Sequence, residues 1–173
     1  MVLKPQDVLI LLKLIDKRRQ NWSYASIANE LAMSPSEVHA GIRRAKVARL
    51  FSEPDRRPVI ANLEEFVVHG VKYAFPVVHG TRTRGIVTAY AAMPLSNVIV
   101  QEDALPPVWP DPQGETLGIS FSPLYKSVPH AAARDRKLYE LLTIVDAFRE
   151  GRVREREIAL KELHRRLLAQ VEE

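Results

Sequence analysis

Residues Ser23 to Leu50 read SYASIANELAMSPSEVHAGIRRAKVARL, and the fold is decided here. The second half of the stretch opens on a run of helix-start signals. Ser34 can accept a hydrogen bond from a first-turn amide that has no partner within the helix. Pro35 follows at the first helical position, where a missing N–H costs nothing. Glu37, three residues after Ser34, completes a capping box. Val38, Ile42 and Ala45 then recur at helical spacing as an inward stripe. Ser36, Glu37, His39, Ala40, Arg43, Arg44 and Lys46 are left for the other faces. The first half opens at Ser23, a second cap, and turns Ile27, Ala28 and Leu31 inward. Ala28 is small where two helices must cross closely. Ala32, Met33 and Ser34 make the joining turn. Such turns often need positive φ, which costs a residue other than glycine roughly 1–2 kcal/mol.

A supporting helix is predicted upstream over Pro5 to Arg18 (PQDVLILLKLIDKR), with Val8, Leu11, Leu12 and Ile15 buried. Pro5 and Asp7 suit its start, and Lys17 and Arg18 its end. Two helices joined by a tight turn, the second basic and sharply started, form the layout of a helix-turn-helix. On these residues, 5–50 resemble the tri-helical core of bacterial winged-helix and related regulators, MarR-like ones among them. SIANELAMSPSEVHAGIRRA also resembles the promoter-reading domain of sigma factors. The resemblance implies a reading helix from Pro35 to about Leu50 lying in the major groove of double-stranded DNA. Arg43 and Arg44 are then the foremost phosphate or guanine contacts, since arginine binds guanine O6 and N7 bidentately. Ser36, His39 and Ala40 lie nearer the end where base edges are read, and Lys46 lies further along. Lys17, Arg18 and Arg19 on one side, and Arg56 and Arg57 on the other, could clamp flanking phosphates.

Charge agrees with this placement. Residues 1–50 carry nine Lys or Arg against four Asp or Glu, whereas 51–133 carry six against eight and 134–173 ten against nine. Positive excess therefore concentrates on the segment singled out by pattern, and such residues supply most non-specific DNA affinity by neutralising phosphates. The whole chain of 173 residues is 46% hydrophobic and 27% charged, as in an ordinary globule with a real core. No apolar run reaches the ~20 residues of a membrane span, and no signal peptide is read. Cysteine is absent, which excludes disulfides, thiolate zinc sites and cysteine nucleophiles. A cytoplasmic location is the expectation.

Beyond Leu50, SEPDRRP reads as a polar connector and VIANLEEFVVH (59–69) as a helix stopped by Gly70. Two β-rich runs, Val71–Val78 and Ile86–Ala91, flank His79–Gly85, which reads as a hairpin with glycines bracketing its tip. Arg82 and Arg84 would project from that tip, either as a wing meeting phosphate or the minor groove or as incidental charges on a solvated turn. Residues 94–130 are proline-rich, either an exposed loop or a strap packed through Trp109, Leu117 and Phe121. From Ser127 the chain is helical again, with Leu138, Leu141, Leu142, Val145 and Phe148 in stripe and a break at Gly151. The last helix, Arg154 to Val171, sets Leu160, Leu163, Leu167 and Val171 in a stripe that needs a partner, either this chain or a second copy. The expected fold is mainly α with a small β-hairpin (α+β): a winged-helix-like N-terminal domain over 1–93, a strap or linker over 94–130 and a helical region over 131–173, a possible dimerisation element.

Enzymatic chemistry finds no motif. The five histidines include no i, i+4 pair and no HExxH. There is no glycine-rich phosphate loop and no nucleophile elbow around Ser26, Ser34 or Ser120. Glu64 and Glu65 are adjacent and diverge on a helix. The expectation is therefore no catalytic residue, no cofactor and no metal. The expected function is a homodimeric, sequence-specific transcriptional regulator. VHGVKYAFP and SVPHAAARD also resemble segments of uncharacterised bacterial winged-helix proteins, some encoded beside nucleotidyltransferase-type toxins. That resemblance implies an alternative, an antitoxin-like module masking a partner enzyme. RNA binding is a third reading, but the aromatic strand motif of sheet-based RNA readers is missing.

Overall fold

The computed structural model describes residues 1–17, 21–100 and 105–169. Helices α1 (Pro5–Asp16), α2 (Tyr24–Leu31) and α3 (Pro35–Val47) follow the expected order. Both caps form: the Ser26 amide donates to Ser23 Oγ at 3.0 Å and the Glu37 amide to Ser34 Oγ at 3.2 Å. Ala32 takes the left-handed conformation, φ 52°, and the Met33 amide bonds the Ala28 carbonyl across the turn. Left-handed Arg49, φ 60°, ends α3 somewhat earlier than the spacing predicts. Every residue of α1 from Asp7 to Ile15 is buried. The helix is buried on nearly every side, charged Asp7 and Lys13 included, because α1 packs against α3, α7 and β2 at once. Gly41 permits the α1–α3 crossing, since a Cβ there would lie 2.5 Å from Ile10 Cδ1.

The stretch read as a connector is a small hairpin directly after α3. Strands β1 (Phe51–Ser52) and β2 (Arg57–Pro58) pair antiparallel, with Phe51 opposite Pro58. A helical run follows: α4 (Ile60–Glu65), a π-helical turn (Phe66–Gly70) and α5 (Val71–Ala74). Gly70 does not stop it. Its φ is −106°, so the left-handed cap that would end a helix is not made. The strand expected from Val71 is therefore helical at its start.

The expected hairpin tip is itself a strand, β3 (His79–Val87). It pairs antiparallel with β4 (Pro107–Pro110) and with β5 (Thr116–Phe121), while β4 and β5 pair in parallel, Pro107 with Ile119. The three strands close on one another. Gly85 serves close approach rather than a turn, because a Cβ there would sit 1.9 Å from the Trp109 carbonyl oxygen. The proline-rich strap thus holds two strands; Trp109 and Phe121 are buried, whereas Leu117 is exposed.

Helices α6 (Val128–Arg134), α7 (Arg136–Glu150) and α8 (Val153–Ala169) complete an α+β fold. Asp135 breaks the first from the second and caps α7 through the Leu138 amide. Gly151 ends α7 as expected. On α8, Leu163 and Leu167 are buried and α8 packs against α7, so these two find their partner within the chain. Leu160 stays at the surface, and Val171 lies outside the described residues. One apolar core runs from Val8 to Leu167.

Two polar clusters tie distant segments together, the first of them across the two halves. Lys13 of α1, only 7% exposed, reaches Asp135 at 2.5 Å and Glu30 of α2 at 2.6 Å. Inside the C-terminal half, Asp146 accepts from Thr88, Trp109 and Arg149, and Arg149 donates to the carbonyls of Phe75 and Ser122. Burial pushes the Asp146 carboxyl up, against the pull of Arg149.

Candidate nucleic-acid interface

The solvent face of α3 carries Ser36, His39, Arg43 and Lys46, all exposed, with Ala40 half-buried beside them. From His39 onward this face is one wall of a groove of about 740 Å³. Met1, Trp22 and Tyr24, which flank the Ser23 cap of α2, and Phe51, Glu53 and Arg56, in the hairpin, line it as well, with Met1 reaching in from the N-terminus. Ring contacts fix the aromatic side: Tyr24 stands edge-on to Trp22 at 5.7 Å and to His39 at 5.1 Å. Lys46 is ion-paired with Glu53 across the groove. Arg43 has no hydrogen bond or ion pair among the described residues.

Arg44 is different, and here the expectation from sequence needs correction. Its guanidinium turns toward α1 and bonds both carboxylate oxygens of Asp7, at 2.8 and 2.7 Å. Asp7 is fully buried and the Arg44 side chain only 13% exposed. The physical reason lies in the crossing. Gly41, one turn before Arg44, lets α1 approach, which brings a buried carboxylate within reach of the next turn of α3. Asp7 also accepts from the Lys4 amide at 2.8 Å, so a single carboxylate both caps α1 and anchors α3.

The remaining basic candidates fall in three places. Arg56 reaches the groove and is locked to Trp22. Its guanidinium lies 4.5 Å above the indole ring and donates to the Trp22 carbonyl, while the indole N–H donates back to the Arg56 carbonyl. Arg57 is exposed beside it on β2. Arg82 and Arg84 are exposed on strand β3 rather than at a hairpin tip, and neither lines the groove. Arg18 and Arg19 lie outside the described residues.

The N-terminal end of α3 is tied to the C-terminal half. Glu37 completes the capping box by accepting from the Ser34 amide at 2.8 Å, and its other oxygen accepts from the Tyr125 hydroxyl at 2.7 Å. The Ser34 amide first, then the Tyr125 hydroxyl, hold the Glu37 carboxyl below the usual range. The same bond pushes the Tyr125 phenol up. Lys126 is near enough to add to the lowering of Glu37, so a cation flanks this end of α3. Asp7, Trp22, Tyr24 and Tyr125 were not read from sequence as part of this surface. Trp22 and Tyr24 bracket the Ser23 cap and were legible as aromatics beside a helix start. Asp7 and Tyr125 act over separations of 37 and 88 residues, which no local spacing reveals.

A second cavity, of about 250 Å³, lies between β3, β5 and the start of α8, and His79, Phe121, Asp146, Glu150 and Glu155 line it. His79 pairs with Glu150 at 2.5 Å, and Glu155 accepts from the Arg152 amide. Among the described residues, no group of three or more His, Asp or Glu is placed to hold a metal ion, and no helix is long and apolar enough to cross a membrane. Neither a protein-family model, nor a curated protein, nor a solved structure matches the chain.

Proposed function

We propose that this chain is a sequence-specific, duplex-DNA-binding transcriptional regulator with a winged-helix-like arrangement, and that α3 is its reading helix. The observation that carries the reading is the outward face of α3. Ser36, His39, Arg43 and Lys46 are exposed on it, and Arg56 lines the same groove as the last three. Arg43 reads or neutralises, Lys46 and Arg57 meet phosphates, and Lys126 supplies a cation at the opposite end of the helix. Arg44 belongs to the scaffold, because releasing it from Asp7 would strand a buried carboxylate. On this reading the small hairpin directly after α3 serves as the wing beside the reading helix.

Selection of bound sequences from a pool of random duplexes tests the reading. Enrichment of one sequence is the expected result, and a palindrome would add two-fold assembly to it. Recovery of unenriched sequence would reject specific reading, and absence of any retained duplex would reject DNA binding.

A further inference from the structure

The groove beside α3 has features that a paired duplex does not use. From His39 to Val47 the outward face of α3 is one wall of a groove, and the start of α2 and the hairpin stand opposite it. Buried Ile42 and Phe51 and exposed Val47 give the groove an apolar lining, and Trp22, Tyr24 and His39 add ring systems. Its volume of about 740 Å³ falls in the range of roughly 300–1,000 Å³ typical of pockets that enclose small organic ligands.

The ring systems are pre-positioned. Tyr24 and His39 are both exposed and held edge-on to each other. The Arg56 guanidinium rests on Trp22 and donates to the Trp22 carbonyl at 2.9 Å, while the indole N–H donates to the Arg56 backbone carbonyl at 3.2 Å. The indole covers one flat face of the guanidinium, and Arg56 remains exposed at the groove. Nucleobases stack on aromatic rings and on guanidinium planes, with little regard to sequence. Arg43 stands at the same groove with no partner among the described residues, and Lys46 with one exposed glutamate. Flat platforms plus cations suit a base and its phosphate, provided the base is out of the helix stack.

Resting on the DNA-binding reading above, we propose that this groove takes one unpaired nucleotide, its base stacked on the ring face of Tyr24 and bordered by the Arg56 guanidinium, and its phosphate held by Arg43 and Lys46. The chain therefore prefers duplex DNA that carries an extruded or overhanging nucleotide.

The test uses the full chain and fluorescent oligonucleotides. One arm is a fully paired duplex, and a second is the same duplex with one extra, unpaired 2-aminopurine nucleotide. Two further arms are the matching single strands in DNA and RNA form. The unpaired nucleotide is expected to tighten binding about tenfold, the scale of one stacked base, and 2-aminopurine emission should fall on binding. Tyr24→Ala should abolish the difference between the two duplexes, and Tyr24→Phe should keep it. Equal affinities for the two duplexes, with unchanged emission, would overturn the groove proposal and leave duplex reading standing. Failure of all arms to bind would overturn both. Tightest binding to the RNA strand, with Tyr24→Ala weakening it, would support the stacked nucleotide and overturn the DNA reading.

Discussion

Arg43 and Arg44 are neighbours in sequence and opposites in role. Arg44 neutralises Asp7, a fully buried carboxylate, through two hydrogen bonds. Arg44→Ala leaves that charge without its partner and is expected to cost about 3–5 kcal/mol, the penalty of breaking a buried ion pair, read from urea denaturation. Arg43→Ala removes an exposed side chain and should change stability by less than about 0.5 kcal/mol in the same assay. Ala32 offers a test of the opposite sign. Its φ of 52° strains a residue with a Cβ, and the residue is exposed, so no packing is lost on trimming it. Ala32→Gly is expected to stabilise the chain by about 1 kcal/mol, the strain relieved less the extra entropy of the unfolded glycine. The strain was legible at this position because a helix-turn-helix turn calls for positive φ. The role of Arg44 was not. Helical spacing gives the centre of the buried stripe but not its width, and Asp7 is 37 residues away.

At the level of elements, capping and apolar period read correctly, whereas the Gly70 stop, the 51–58 connector and the non-local strand pairing did not. Caps, a proline at the first helical position and apolar period are properties of a few adjacent residues, so α2, α3, α7 and α8 were legible. Strand β3 was taken for a hairpin tip because glycine marks both turns and close approaches. Its partners, β4 and β5, lie beyond a proline-rich stretch without period. Gly85→Ala discriminates between the two uses. A turn glycine with negative φ would tolerate alanine, whereas a Cβ 1.9 Å from the Trp109 carbonyl must push β3 and β4 apart. A loss of about 1–3 kcal/mol or more is expected by overpacking, visible as a lowered melting temperature. The link between α3 and the Tyr125 segment has its own signature. Glu37 is held below its usual range, so its contribution is present above that range and is lost as pH falls through the lowered value. Tyr125→Phe removes one donor and should move the Glu37 carboxyl upward, toward its ordinary range, in an NMR pH titration. An unmoved titration would show that the contact is not made in solution.

Across the whole molecule, the clusters around Lys13 and Arg149 join parts of the chain that sequence pattern keeps apart. Burial works against the charges of Glu30 and Asp135, but Lys13, joined by Lys17 at Glu30 and by the Leu138 amide at Asp135, outweighs it and holds both carboxyls below their usual range. Their stabilisation is present above the ordinary carboxylate pKa and is lost as pH falls through the lowered values. Lys13 runs the other way. Burial works to lower its pKa, and the bonds to Asp135 and Glu30 raise it overall. Its contribution is complete below the ordinary lysine pKa and is lost as pH rises through the raised one. Unfolding free energy is therefore expected to be flat around neutrality and to fall at both extremes, with Lys13→Met flattening both limbs. A variant as pH-sensitive as the native chain would show that other groups set the profile. The α+β class was legible from composition and periodicity; the continuous core was not, since it depends on which faces meet.

The outward face of α3 carries the functional account, and Arg43 is its clearest representative. The decisive measurement is the salt dependence of binding to a duplex selected from a random pool, for the native chain and for Arg43→Ala. If Arg43 contacts phosphate, the variant binds more weakly and its log–log salt slope is shallower by about 1. Identical affinity and identical slope across the salt range would contradict an α3 interface.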